Sequence, residues 1–117
     1  MKTLVFVYGT LKRGCENHGW IAQQRLIATA HTKPHYRMFD LGGYPGIVRD
    51  EHGLAIEGEV WEVDESGLKR LDVLEDTAGG EYERVAIELE GEFATQRVEG
   101  YVYLRSVAGK PDAGACW

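Results

Sequence analysis

The chain has 117 residues and a net charge of −6, from 13 Lys and Arg against 19 Asp and Glu. That length fits one domain with its own hydrophobic core, without metal or disulfide staples. Lys and Arg gather only in the separated pairs Lys12-Arg13 and Lys69-Arg70, which argues against a nucleic-acid binder, since that class carries a basic stripe.

Leu4 to Val7 is a continuous apolar run, predicted as a buried central strand. It enters a turn at Gly9, with Tyr8 before it and the hydroxyl of Thr10 after it. The residues ahead of Gly9 are too few for a secretory signal, and no later stretch is apolar enough to span a bilayer. Cys15 and Cys116 stand near opposite ends without a pairing pattern, so they read as free thiols of a cytoplasmic protein. A short helix is expected over Asn17–Arg25, then strands over Leu26–Thr32 and His35–Phe39. From Leu54 to Val63 the pattern alternates, placing Leu54, Ile56, Gly58 and Val60 on one face and Glu57 and Glu59 on the other.

Asp64 to Leu74 reads as a helix, with Asp64 as N-cap and Leu68, Leu71 and Leu74 as an apolar stripe. Thr77 to Glu81 is the most flexible-looking internal loop. Strands follow over Glu83–Leu89 and Val98–Leu104. The second sets Tyr101 and Tyr103 opposite its aliphatic face, which suggests a covered face or a cavity. Lys110 to Trp117 reads as a loosely ordered tail, anchored only where Trp117 finds an apolar groove. At least six strands with two helices indicate an α+β fold, with a strongly curved or barrel-like sheet.

Several chemistries lack their residues. His18, His31, His35 and His52 form no metal-ligand spacing, and Pro34 opposes a helix that would align His31 with His35. There is no nucleophile elbow, phosphate loop or dinucleotide fingerprint. Cys15 lies beside Glu16, which raises a thiol pKa, so an inert thiol is the better reading. No cofactor is implied.

Two features point to chemistry. Glycine in the Tyr8–Leu11 turn can take backbone angles closed to other residues or let a ligand approach the main chain. Successive N–H groups in such a turn can converge on a carboxylate or oxyanion. An ordinary glycine turn explains the same residues. Glu75, at the end of the helix, falls beside the leucine stripe rather than opposite it. Partial desolvation there raises a carboxyl pKa and prepares a general acid/base. A glutamate fraying into water fits the sequence equally well. Glu81 and Glu83, just beyond, are expected to be bystanders.

The ordered set of motifs adds a resemblance. Tyr8-Gly9-Thr10-Leu11 after an apolar strand is followed by Lys12-Arg13-Gly14 and Asn17-His18. Further along come Tyr44-Pro45, Glu57-Gly58-Glu59-Val60, Leu71-Asp72 with Glu75, and Tyr82-x-Arg84. Together, over residues 4–104, they resemble the γ-glutamylcyclotransferase-like family, above all its γ-glutamylamine cyclotransferase branch. The resemblance implies a small mixed β-barrel flanked by helices, filling residues 1–109, with 110–117 as the tail. It implies attack of a γ-glutamyl α-amine on its own γ-carbonyl, giving 5-oxoproline and a free amine or peptide. By motif position Tyr8, Gly9, Thr10 and Leu11 bind the glutamyl backbone, Glu75 is the catalytic carboxylate and Tyr82 stands near the substrate. Asp76 departs from the small residue that many relatives carry after that glutamate.

The implied partner is a small γ-glutamyl molecule; neither nucleic acid nor membrane is expected. A binding module that holds γ-glutamyl or 5-oxoproline-like ligands without turnover is the rival reading, and another amide-cleaving activity on the same fold is a second. Neither the leaving amine nor the oligomeric state is written in the sequence.

Overall fold

Val5, Phe6 and Val7 set the frame of the molecule, whose computed structural model describes residues 2–117. All three are buried in β1 (Lys2–Val7), as a continuous apolar run requires when both strand faces are covered. The other strands are β2 (Arg25–His31), β3 (Tyr36–Asp40), β4 (Pro45–Arg49), β5 (Glu57–Asp64), β6 (Tyr82–Ala86), β7 (Glu99–Tyr103) and β8 (Asp112–Gly114). One α-helix, α1 (Glu65–Leu74), leads directly from β5. The fold is the expected α+β class, a mixed eight-stranded sheet in the order β2-β5-β1-β7-β4-β3-β8, with β6 on β7. β2 and β8 do not pair, so the curved sheet stops short of a closed barrel. No helix of the described residues is long and apolar enough to cross a membrane.

Two hydrophobic clusters occupy the two faces. One joins Phe6, Met38, Ile47, Ile56, Val60 and Val98; the other joins Val5, Val7, Trp61 and Val63 to Leu71 of α1. The helix forms as its sequence predicts: Asp64 Oδ1 accepts from Gly67 N–H at 2.7 Å, and Leu68 and Leu74 pack beside Leu71.

Three expectations change. Asn17–Arg25 is not a helix but a 3₁₀ turn over His18–Trp20, followed by further turns. Asn17 and His18 direct their side chains to Thr10 and Leu11, and such local bonds compete with helix formation. Glu59, on the face opposite Val60, is buried where Glu57 is exposed. It is 6% exposed and accepts from Arg13 N–H, Arg13 Nε and Trp61 Nε1. Burial pushes its carboxyl up, but those donors outweigh it and hold Glu59 below the usual carboxylate range. Leu54 lies outside β5 and is exposed, while Leu104 is also exposed beyond β7.

β4 is hidden in the sequence because Pro45 and Gly46 look like a turn. Proline is tolerated at the first position of a strand. Gly46 is needed because a Cβ there would meet Leu41 Cδ1 at 2.8 Å and Tyr103 Cβ at 2.9 Å. β8 carries no apolar pattern at all. It pairs with β3, where Arg37 Nη1 donates to Asp112 at 2.9 Å, and just beyond it Ala115 C=O accepts from Glu57 N–H of β5 at 2.8 Å. The residues expected as a loose tail are thus tied along the sheet, and Trp117 packs on the first cluster.

Candidate active site

The cleft lies where two strands part. β6 pairs with the full length of β7, so β1 and β4, both parallel to β7, must share its other edge. β1 meets it at Glu99 and β4 at Val102, and the chain leaves the sheet between them at Tyr8. The Tyr8 side chain fills the gap: its hydroxyl donates to Tyr101 C=O at 2.7 Å and accepts from Ile47 N–H at 3.3 Å. It thereby replaces a missing peptide of the ladder. Burial, then the charge of Glu75, hold its pKa well above the ordinary phenol value, so Tyr8 stays protonated.

Beyond Tyr8 the chain borders a cleft of about 550 Å³, ample for a small molecule. Gly9, Thr10 and Leu11 line it together with Glu16, Asn17, Tyr44, Leu74, Glu75, Glu81, Tyr82 and Tyr101. The N–H groups of Gly9, Thr10 and Leu11 donate to none of the described residues, whereas Gly9 C=O, Thr10 C=O and Leu11 C=O all accept bonds. The loop therefore presents donors and hides acceptors, as an anion-binding concavity does.

Gly9 is required here, though not for unusual backbone angles. Its φ is not positive. A Cβ at Gly9 would lie 2.5 Å from Pro45 Cγ and 3.0 Å from Cδ, both in a rigid ring. The reason for glycine is close approach to β4.

Glu75 closes α1 as its C-cap. Asp76 follows with φ of 53°, and the paired bonds Asp76 N–H to Val73 C=O (3.1 Å) and Thr77 N–H to Asp72 C=O (3.1 Å) complete a Schellman motif. Aspartate tolerates this left-handed conformation better than most residues, so it stands where a small residue is expected. The motif turns the chain at a fixed point and leaves Glu75 on the cleft wall. Asp72 anchors the same turn to the sheet, accepting from Arg84 Nε at 2.9 Å and from the Tyr101 hydroxyl at 2.7 Å. This pairing gives Asp72 and Arg84 of the sequence motifs a structural role.

The Glu75 carboxylate accepts no hydrogen bond from the described residues, and its charge is felt by Tyr8, Tyr82 and Tyr101. Burial, and secondarily the charge of Glu81, raise its pKa from 4.5 to about 7. Glu81 is thus no bystander: it lines the cleft, and Tyr44 OH donates to it at 3.3 Å. Glu83 is exposed, as a bystander should be. Tyr82 lies in the wall, but its hydroxyl is committed to Pro45 C=O at 2.6 Å and its ring stands edge-on to Tyr103. All six residues singled out from the sequence therefore border one cleft, and of their polar groups the loop amides and the Glu75 carboxyl have no partner among the described residues. Asn17, which holds the loop, is visible in the sequence only as a motif letter. Among the described residues no group of three or more His, Cys, Asp or Glu is placed to hold a metal ion.

Comparisons with known proteins place this geometry. Residues 5–117 match the family model described as γ-glutamyl cyclotransferase, AIG2-like. A Vibrio cholerae protein provisionally named a γ-glutamylcyclotransferase is 47% identical over 88 residues, 75% of this chain and 74% of that one. The γ-glutamylcyclotransferase family protein YtfP of Escherichia coli K12 is 35% identical over 105 residues, 90% of this chain and 86% of its own. A mouse AIG2-like protein of known structure superposes with a TM-score of 0.77 at 26% identity, covering 97% of this chain and 87% of the other.

Proposed function

Because the chain belongs to the γ-glutamyl cyclotransferase, AIG2-like family, we propose that it converts a γ-glutamyl amine or γ-glutamyl peptide to 5-oxoproline and a free amine. The observation that carries this reading is Glu75. A carboxyl with a pKa of about 7 faces the same cleft as three loop amides, and none of them has a hydrogen-bond partner among the described residues.

The substrate α-carboxylate rests on the amides of Gly9, Thr10 and Leu11. Holding it there restricts the glutamyl chain to conformers in which the α-nitrogen lies near the γ-carbon. Such fixing is worth effective molarities of ~10⁵–10⁸ M in well-oriented intramolecular reactions. The α-ammonium, which titrates at ~7.7–8.0 in simple peptides, loses a proton to ionised Glu75 and the nitrogen then attacks. A C–N bond forms to the γ-carbon, and Glu75 gives its proton to the leaving nitrogen as the bond to it breaks. The ring nitrogen's second proton then passes through ionised Glu75 to the freed amine, which departs as its ammonium. A carboxyl near pKa 7 can run both steps because neither protonation state is strongly disfavoured at neutral pH. Tyr8 and Tyr82 act as the frame, since their hydroxyls already bridge strands. The reaction closes without a cofactor, and the two free thiols, Cys15 and Cys116, fit a reducing, cytoplasmic setting.

The test is a panel of γ-glutamyl amines, γ-glutamyl dipeptides and glutathione with purified protein. At least one compound should yield equimolar 5-oxoproline and amine. Release of glutamate instead would indicate hydrolysis, and tight binding of 5-oxoproline with no turnover of any member would leave a binding module.

A further inference from the structure

Asn17 sits where the loop after β1 returns past its own start. Its N–H donates to Thr10 C=O at 2.9 Å, and its side-chain Nδ2 donates to Thr10 Oγ1 at 2.9 Å. One residue on, His18 Nδ1 lies 2.9 Å from Leu11 C=O, with its ring tilted against Trp61. A trans peptide points its C=O and the following N–H in opposite directions. Tying Thr10 C=O to Asn17 therefore fixes the direction of Leu11 N–H, and the bond from Lys12 N–H to Gly9 C=O (3.1 Å) does the same for Thr10 N–H. The donors are free because the acceptors are held, not because the loop is loose.

The side-chain bond is the adjustable part of this arrangement. The main-chain bond from Asn17 is available to any residue except proline, but only a side-chain donor of the right length reaches Thr10 Oγ1. Asparagine supplies that donor without charge. An aspartate would keep the reach and add a negative charge beside an incoming carboxylate, since Asn17 itself lines the cleft.

We propose that Asn17 is a positioning residue of this site, locking the Thr10–Leu11 peptide so that the loop amides meet the α-carboxylate of the glutamyl group, and so sets affinity but not proton transfer. This rests on the γ-glutamyl reading above. Asn17→Ala and Thr10→Val remove the same side-chain bond from its two ends. The measurements are steady-state kinetics and the affinities for 5-oxoproline and for 2-pyrrolidinone, the same ring without its carboxylate.

Asn17→Ala should raise KM and weaken 5-oxoproline binding by about tenfold, the scale of one hydrogen bond. The kcat value and the midpoint of its pH profile should not move, and 2-pyrrolidinone affinity should stay within twofold. Thr10→Val should act in the same direction, and the double variant should be no worse than Asn17→Ala alone, because one bond cannot be lost twice. If Asn17→Ala does not fold, Thr10→Val carries the same expectations. A fall in kcat at constant KM, or equal weakening of both rings, would overturn the proposal. If no γ-glutamyl compound is turned over, the function fails, while the two binding measurements still decide the role of Asn17.

Discussion

The two walls of the cleft are made in opposite ways. On the loop side everything useful is main chain: three amides, of which those of Thr10 and Leu11 have their directions set by bonds on the far side of the peptide. On the helix side it is one side chain, Glu75, whose carboxyl has no partner among the described residues and a pKa held near 7. Main-chain donors do not titrate and survive every substitution except proline, so they suit constant recognition of a carboxylate. A desolvated side chain can change protonation state, so it suits the proton traffic. Substitutions on the two walls should therefore separate binding from chemistry.

The largest effect is expected on the helix wall. Glu75→Gln keeps the shape but cannot exchange a proton near neutral pH, so kcat should fall by ~10²-fold or more. Affinity for 5-oxoproline should change little, and Glu83→Gln, at an exposed position, should match wild type. The same variant has a stability signature. The folded-state pKa of Glu75 is raised above its ordinary value. Its contribution is thus fully present below pH 4.5 and is lost as pH rises through about 7. Denaturation at pH 5 and pH 8 should show Glu75→Gln lacking this loss, a difference on the order of 2 kcal/mol, reduced from the full shift because the cleft is open to solvent. Full activity of Glu75→Gln would break the division between the walls.

A smaller effect, on binding, is expected on the loop wall. Gly9→Ala places a methyl group against Pro45, and such overpacking costs ~1–3 kcal/mol. Since β4 is pinned through Pro45 C=O by the Tyr82 hydroxyl, the loop is the part that must move. Affinity for 5-oxoproline should drop at least tenfold, with kcat affected less. Adding Pro45→Ala removes Cγ and Cδ and should restore part of the loss. If the double variant recovers nothing, contact with Pro45 is not the reason for glycine.

These two substitutions also mark how far the sequence can be read. Glu75 is legible because a carboxylate in register with Leu68, Leu71 and Leu74 is conspicuous at helical spacing. The central strand, the helix and its Asp64 cap are legible for the same reason, since periodicity and capping are local. Gly9 is legible as special but not for the right reason, because Pro45 lies 36 positions away and only the fold brings the two together. β4 and β8 are hidden, as Pro45-Gly46 and Asp112-Ala113-Gly114 owe their strand geometry to neighbours rather than to their own residues. The burial of Glu59 is not visible because its partner Arg13 is 46 positions away, and Glu81 reads as inert because a loop position says nothing about the cleft it borders.

Glu81 gives the finest test of the comparison, because its charge bears on the carboxyl of the chemical wall. Its charge is the second cause of the raised Glu75 pKa, after burial. In Glu81→Gln the repulsion is gone while the burial remains, so ionised Glu75 becomes easier to form. The acid limb of kcat/KM, which tracks ionisation of Glu75 as the base, should have its midpoint near pH 7 in the wild type. In Glu81→Gln that midpoint should move to lower pH without reaching the ordinary carboxylate value of 4.5, since the larger cause persists. Relative activity should therefore rise near pH 6 and change little at pH 8, where Glu75 is mostly ionised in both proteins. Tyr44→Phe removes the hydroxyl that donates to Glu81 but leaves the charge in place, so its midpoint should not fall. A Glu81→Gln profile with an unmoved or higher midpoint would mean that the limb belongs to another group, and that Glu75 is not the base it reports.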